Sequence, residues 1–311
     1  MNMLQSPRAR HLCLLISMAL CVAVAHASQP QGGAARSLSG KVLGAGTPIH
    51  LATVTMYCAG DTPHAGATKI ATTQTDLRGA FELAYPDPSA AGVVLYLVAE
   101  GPVGDVKLAT VLGTNDIPSS VCINERTTIA TAWTMAQFID DDIIGGNAIG
   151  VGNAALIFRN LVDLKSGRVA KFLRSKPNGL ETSALRKFNS LANTLAACSD
   201  APYLCPVLFY FATPDGGPAP TNTLEAAINI AHDPGNRFAE IWVLSKQSRL
   251  CLPDMQLPPP DWTLALKYVG NGHQFSGPGA IAFDAQGNAW VNNNYTPRKS
   301  RFERGCGSHL L

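Results

Sequence analysis

The residues able to do chemistry in this 311-residue chain are scattered, and the most numerous set is its eight cysteines. Cys13 and Cys21 lie in an N-terminal leader, which leaves Cys58, Cys122, Cys198, Cys205, Cys251 and Cys306. Zinc would be held by paired C-x-x-C spacings with histidines close by. None of these occurs, so the set reads as structural disulfides, with many pairings open. The short, proline-bent loop over residues 199–204 makes Cys198–Cys205 the first candidate bridge. Cys58–Cys122 is the second; it would tie a strand to the segment entering a helical region. Asp140-Asp141-Asp142 offers carboxylates for calcium, but no D-x-D-x-D-G spacing with a distal glutamate follows, so it reads as a solvated loop. His232 stands beside Asp233, as a general-base pair would. Its place at the end of a helical pattern fits equally a cation favoured by the helix dipole, and that reading is adopted. Residues 145–152 are glycine-rich but lead to no Lys-Ser pair and follow no clear strand; they read as a hinge. The G-x-S-x-G and H-E-x-x-H patterns are absent. No catalytic, cofactor-binding or metal-binding residue is assigned, and no cofactor is expected.

The N-terminus predicts export. Arg8 and Arg10 precede an apolar run over residues 12–25, and Ala25-His26-Ala27 fits a small-residue cleavage site before Ser28. The run is short for a membrane span, which needs roughly 20 residues. Leu20 is too bulky a neighbour for lipoprotein processing at Cys21. Cleavage would lower the 24 basic residues to 22, against 22 acidic. A neutral mature chain has no electrostatic attraction toward nucleic acid or an anionic membrane. The basic cluster Arg298, Lys299, Arg301 and Arg304 reads as a solvated tail. Hydrophobic residues at 46% against 15% charged place the rest among globular chains.

In the mature chain, residues 28–36 form a Gln/Gly/Ala linker. Short alternating segments follow: Ser39-Gly40-Lys41-Val42, then Ala52-Thr53-Val54-Thr55-Met56-Tyr57 with Val54 and Met56 on one face, then residues 71–75, a turn at Asp76-Leu77-Arg78-Gly79, and Ala80-Phe81-Glu82-Leu83. Residues 93–98 are a continuous apolar run, suited to a buried strand. These segments predict a small antiparallel β-sandwich over residues 37–113. The wording G-x-V, A-x-V-x-x-Y and T-x-T-D-x-x-G-x-F resembles the carboxypeptidase regulatory-like or CNA-B-type Ig-like family, which implies a spacer or adhesion module without catalysis. Asp76 reads as a turn former.

From Asn124 the period changes. Ile129, Ala132, Trp133, Ala136 and Ile139 make one stripe of a helix that Asn124 would cap. Further helices are expected over residues 153–164 with Leu156, Ile157, Leu161 and Leu164 inward, and over 181–197 with Leu185, Phe188, Leu191, Ala192 and Leu195 inward. Others are expected over 206–211, over 224–232 behind Asn222 and Thr223, and over 237–245 behind Asn236. Together they predict a helical domain at 114–247. Asn124-Glu125-Arg126-Thr127-Thr128 and Ala219-Pro220-Thr221-Asn222-Thr223-Leu224 resemble the helical region of exported bacterial proteins that end in an NHL-type propeller.

A proline-rich linker (248–260) leads to an alternating segment over 262–269, with Trp262, Leu264, Leu266 and Tyr268 on one side. The stretch G-P-G-x-I-A-x-D-x-x-G-N-x-W-V at residues 277–291 then reads as a hairpin with Ile281, Phe283 and Trp290 forming an apolar face. It resembles the repeat of NHL-type, lyase-like β-propellers, with Gly279, Asp284, Gly287, Asn288 and Trp290 on the repeat positions. The family's catalytic histidines and metal-binding acids come from later blades, so none carries over. Residues 261–295 are thus expected to form a three-stranded meander, one incomplete blade, before a basic tail at 296–311. A truncated or frameshifted coding sequence would explain this ending; a genuinely short protein is the alternative.

The fold class expected is multidomain α+β: a β-sandwich, a helical domain and a partial propeller blade. The function expected is that of a non-catalytic exported binding or scaffold protein, periplasmic, cell-surface or secreted. Its ligand would be a protein or glycan, with no nucleic acid and no membrane span after cleavage. The alternative is the remnant of a lyase-like propeller enzyme or carbohydrate-binding protein. The proline linker is expected to leave the blade weakly attached, so that removing 261–311 leaves the upstream domains folded.

Overall fold

The computed structural model describes residues 35–86, 92–103, 105–114, 116–269, 275, 277–293 and 308–310. The leader with Cys13 and Cys21, nearly all of the 28–36 linker, Cys306 and the basic cluster at 298–304 lie outside the described residues. The described chain is α+β. Its strand-rich part comprises β1 (Ala35–Gly44), β2 (Thr47–Pro48), β3 (Thr53–Cys58), β4 (Thr68–Gln74), β5 (Ala80–Pro86), β6 (Leu95–Glu100), β7 (Lys107–Gly113) and β8 (Ser120–Ile123). One sheet places β1 between β5 and β8, with β2 on the end of β1; the other runs β4-β3-β6-β7. All pairings are antiparallel except β1 with β8, where Lys41 lies opposite Cys122. The strand-rich part was expected to end at residue 113, yet β8 lies beyond it and completes the first sheet.

Alternation decides which side chains face inward. Leu38, Val42, Phe81, Leu83 and Tyr85 of one sheet and Val54 and Met56 of the other join one core. The run read as a buried strand is β6, buried from Leu95 to Ala99 on both faces. On the face of Tyr96 the loop at residues 142–144 closes over the strand, the tyrosine hydroxyl donating to the Asp142 carbonyl at 3.0 Å and accepting from the Ile144 amide at 3.2 Å, and each buried leucine contributes about 1.5–3 kcal/mol at most. The turn before β5 is made by Asp76, whose carboxylate accepts from the amides of Arg78 and Ala80, both at 2.8 Å.

The helices are α1 (Glu125–Thr134), α2 (Ala148–Leu161), α3 (Lys171–Arg174), α4 (Ala184–Asp200), α5 (Cys205–Phe211), α6 (Thr223–His232) and α7 (Phe238–Ser245). Short ladders β9 (Ile139–Asp140) with β10 (Ile143–Ile144), and β11 (Val162–Asp163) with β12 (Arg168–Val169), connect them. Asn124 caps α1 through the Thr127 amide in a reciprocal capping box, and Asn222 caps α6. Strand β7 would be an open edge. Instead, Thr128 of α1 accepts from the Ala109 amide at 3.0 Å, and Thr223 exchanges bonds with Lys107 N and O at 3.1 and 2.7 Å. Helix side chains thus serve the backbone that a further strand would have paired.

Several expectations are corrected here. Residues 145–152 are not a hinge: Asn147 caps α2 by accepting from Ile149 and Gly150. Gly145 is a close-approach position, bridging Gly60, where a Cβ would collide with the Ala65 carbonyl oxygen. Helix α2 begins earlier than expected, and its inner face is Val151, Ala154, Ala155, Phe158 and Leu161, while Leu156 and Ile157 are exposed. Asn236 does not cap α7; its amide donates to the Thr213 carbonyl, and Arg237 stands at the cap with φ 44°.

The largest correction concerns residues 248–269, which are not slack. Helix α4 is buried from Lys187 to Cys198, polar side chains included. Asn193 exchanges two bonds with the Cys251 backbone, Asn189 donates to the Pro253 carbonyl and Ser190 accepts from the Met255 amide. Residues 262–269 have no regular secondary structure and belong to no ladder. Trp262 is fully buried, donating its indole N–H to the Phe238 carbonyl at 3.2 Å and accepting at its own carbonyl from the Trp133 indole at 3.1 Å. Asn178, itself buried, bonds both N and O of Lys267. Burying an aromatic residue this fully makes the segment integral, so the weak attachment expected for it is overturned.

Candidate functional site

The cysteines resolve first. Helix α4 ends beside a 3₁₀ turn (Pro202–Leu204) that delivers Cys205 to Cys198, and the two form a disulfide with Cα atoms 4.6 Å apart. Cys58 and Cys122 are free thiols, which corrects the second pairing. Cys58 ends β3, opposite Leu95 and Thr68 in one sheet; Cys122 lies on β8 in the other, packed at Gly167 and Asn124. Burial pushes the thiols of Cys122 and Cys251 up to about 11 and about 12, so both are protonated and unreactive at neutral pH.

The acid–base candidates are likewise accounted for. His232 Nε2 lies 2.6 Å from the Ala136 carbonyl oxygen and so ties the end of α6 to the loop after α1. Asp141 and Asp142 flank Lys107 Nζ at 3.3 and 3.8 Å. The described residues bring no group of three His, Cys, Asp or Glu side chains together around a metal-sized space.

What stands out is the hairpin of β13 (Pro278–Phe283) and β14 (Ala289–Asn293), with β15 (Ser308–Leu310) on the far side of β14. The third strand of this sheet is therefore β15, not the 262–269 segment expected. Gly279 falls at a register shift between the pairs Pro278↔Asn293 and Ala280↔Asn292. The turn is built on Asp284. One carboxylate oxygen accepts from the amides of Gln286 and Asn288, both at 2.9 Å; the other accepts from Asn288 Nδ2 at 2.9 Å and the Trp290 indole at 2.8 Å. These bonds, led by those from the Asn288 and Trp290 side chains, hold its pKa at about 2. Asp284 is thus a fixed anion with its acceptor sites filled, unsuited to act as a base.

The turn docks on α2. Asn153 Nδ2 donates to the Gly287 carbonyl at 3.0 Å, and a Cβ on Gly287 would strike Ile149 and Asn153, so a glycine with φ 80° is needed there. The rest of the hairpin projects. Every residue of β13 is exposed, with Ile281 at 57% and Phe283 at 71%, and β13 has no partner on its outer edge among the described residues. Cross-strand register puts Ile281 with Val291 and Ala282 with Trp290. Trp290 is therefore on the face opposite Ile281 and Phe283, since side chains alternate; the expected single apolar face is corrected. Asp284, Gly287, Asn288 and Trp290 thus come together as a turn and its packing, whereas Gly279 lies at the other end of the hairpin. Sequence reasoning missed the dock on α2, for which no local pattern exists.

No protein-family model matches the chain, and no curated protein matches it. Among solved structures, a 9R-lipoxygenase from Cyanothece PCC8801 matches at 15% identity and a TM-score of 0.19, over 58% of this chain. The match takes in 25% of the lipoxygenase chain. At that TM-score the likeness says nothing of fold or activity. Among the described residues no helix is long and apolar enough to cross a membrane.

Proposed function

We propose that this chain is a non-catalytic binding or scaffold element of an exported protein. In this reading an Ig-like sandwich and a helical domain form a body that presents the β13–β14 hairpin to a protein partner. The observation that carries it is β13, an edge strand exposed along its whole length with Ile281 and Phe283 on one face. Free backbone N–H and C=O groups on such an edge accept an added strand, and alternate apolar side chains give that pairing its specificity. Ile149 beside the docked turn, and Leu156 on the same face of α2, extend the apolar surface.

The test places a photo-reactive phenylalanine analogue at Phe283 in the full-length exported protein and cross-links intact cells. A discrete heterologous adduct, lost when Ile281→Asp is added, supports the reading. Adducts no different from those of the same analogue at Leu77, which is 80% exposed in the turn before β5, would overturn it. Binding only to glycans on an array would replace the protein partner by a carbohydrate one.

The hairpin's own turn favours a second reading. Asp284, Gly287, Asn288 and Trp290 match the turn and packing positions of the NHL-type repeat, and a neighbouring blade would cover the Ile281–Phe283 face. The chain would then be a part of a lyase-like propeller enzyme or carbohydrate-binding protein. Reading the coding DNA beyond codon 295 in all frames decides it: further hairpins of this pattern support the propeller, and their absence removes it.

A further inference from the structure

Away from the hairpin, one cavity of about 310 Å³ is lined by three arginines: Arg126 from α1, Arg168 from β12 and Arg174 from α3. Leu185, Leu252 and Pro253 form much of the remaining wall, and among the described residues no acidic side chain lines it. Three like charges around one space repel unless an anion sits among them. Two carboxylates are near, and both are engaged elsewhere. Glu125 turns its Oε1 to the Ala45 amide at 2.6 Å. Asp163 is taken by the amide and hydroxyl of Ser166 at 2.9 and 2.6 Å; those bonds chiefly hold its pKa low, with a smaller contribution from Arg174. Neither Arg168 nor Arg174 forms an ion pair among the described residues.

Arg126 is positioned from beneath. Its Nε donates to Asn189 Oδ1 at 3.2 Å, and the Asn189 Nδ2 donates to the Pro253 carbonyl at 2.9 Å. Asn189 is fully buried, so one side chain holds both the guanidinium and the apolar wall opposite. We propose that this cavity binds a tetrahedral oxyanion, the phosphate or sulfate group of a small ligand whose carbon skeleton lies against Leu185, Leu252 and Pro253. Arginine suits such a ligand because it stays charged and its planar fork presents paired N–H donors to oxyanion oxygens. The volume is at the lower end for small-molecule sites, roughly 300–1,000 Å³.

The site lies apart from the hairpin and does not depend on the function proposed above. It is tested on the full chain by calorimetric titration and thermal melting with inorganic phosphate, sulfate, acetate and chloride at matched ionic strength. Saturable binding of phosphate or sulfate is expected, with acetate and chloride showing none. Preference for one of the two tetrahedral ions distinguishes phosphate esters from sulfate esters. Arg168→Gln and Arg174→Gln replace exposed side chains; each should keep the melting temperature without ligand and weaken binding by about tenfold or more. Asn189→Ala tests positioning but can perturb folding, so the two arginine variants decide. Absence of saturable binding, an equal response to chloride, or unchanged affinity in both arginine variants would overturn the site.

Discussion

Glu125 is a fully buried carboxylate in the first turn of α1, and burial pushes its pKa up against the opposing hydrogen bonds, the Ala45 amide foremost. A raised carboxylate pKa means that the folded state holds the proton more tightly than the unfolded one. Its ionisation therefore lowers stability as pH climbs from the unfolded value, about 4.3, toward the folded one. Glu125→Gln keeps an acceptor for Ala45 and removes the charge, so denaturant melts should lose that falling trend above the unfolded value. Glu125→Ala strands the Ala45 N–H and should destabilise by about 1–3 kcal/mol. Identical pH profiles for wild type and the glutamine variant would assign the trend to another group. Asp284 has the opposite sign. Its pKa of about 2 lies below the unfolded value near 3.9, so its contribution is complete above that value and disappears as pH falls through about 2. The Trp290 indole proton, bonded to Asp284, should report this by NMR with an inflection near pH 2; an inflection near 4 would show that the turn is not held as described.

At the scale of elements, α4 organises the helical part, and two of its attachments can be cut separately. The Cys198–Cys205 bridge closes a loop of seven residues' separation between α4 and α5. By chain entropy its reduction should cost about 2–3 kcal/mol, read by melts with and without reductant. Free thiols at both positions in exported protein would show that no bridge ties α4 to α5. The second attachment is Trp262. Replacing a fully buried tryptophan by alanine leaves a large cavity and the Phe238 carbonyl without its indole donor, so Trp262→Ala should cost about 3–5 kcal/mol. A loss under about 1 kcal/mol would return residues 261–269 to the status of a loose appendage.

For the whole molecule, these contacts set where the chain can be shortened. A protein ending at residue 260 lacks Trp262, the Asp261 partner of Lys187 and the Lys267 backbone that satisfies Asn178, and should unfold at markedly lower temperature. One ending at 275 keeps all three and loses the hairpin with β15. Since the hairpin touches the body through the Gly287 turn, its melting temperature should fall by no more than a few degrees. Equal melting of the two shortened proteins would contradict the packing described.

Local chemistry was readable from residues alone. Asn124 and Asn222 as caps, the inner stripe of α4, the Asp76 and Asp284 turns, the buried run of β6 and the Cys198–Cys205 loop each depend on groups a few residues apart. Short-range sterics and hydrogen bonding decide such features. The errors share another cause. Leu156 and Ile157 match the pattern of an inner face, yet what α2 packs on determines which side is buried. Residues 262–269 alternate as a strand does, but Asn178 and Trp133 satisfy their backbone in place of a neighbouring strand. Cys58 and Cys122 fall in separate sheets, and only the crossover of β8 onto β1 shows it. Arg126, Arg168 and Arg174 carry no motif because 42 residues and four elements, β9, β10, α2 and β11, separate the first two along the chain. Contacts between distant segments depend on how whole surfaces fit, and periodicity records only that a residue is apolar, not which surface it will meet.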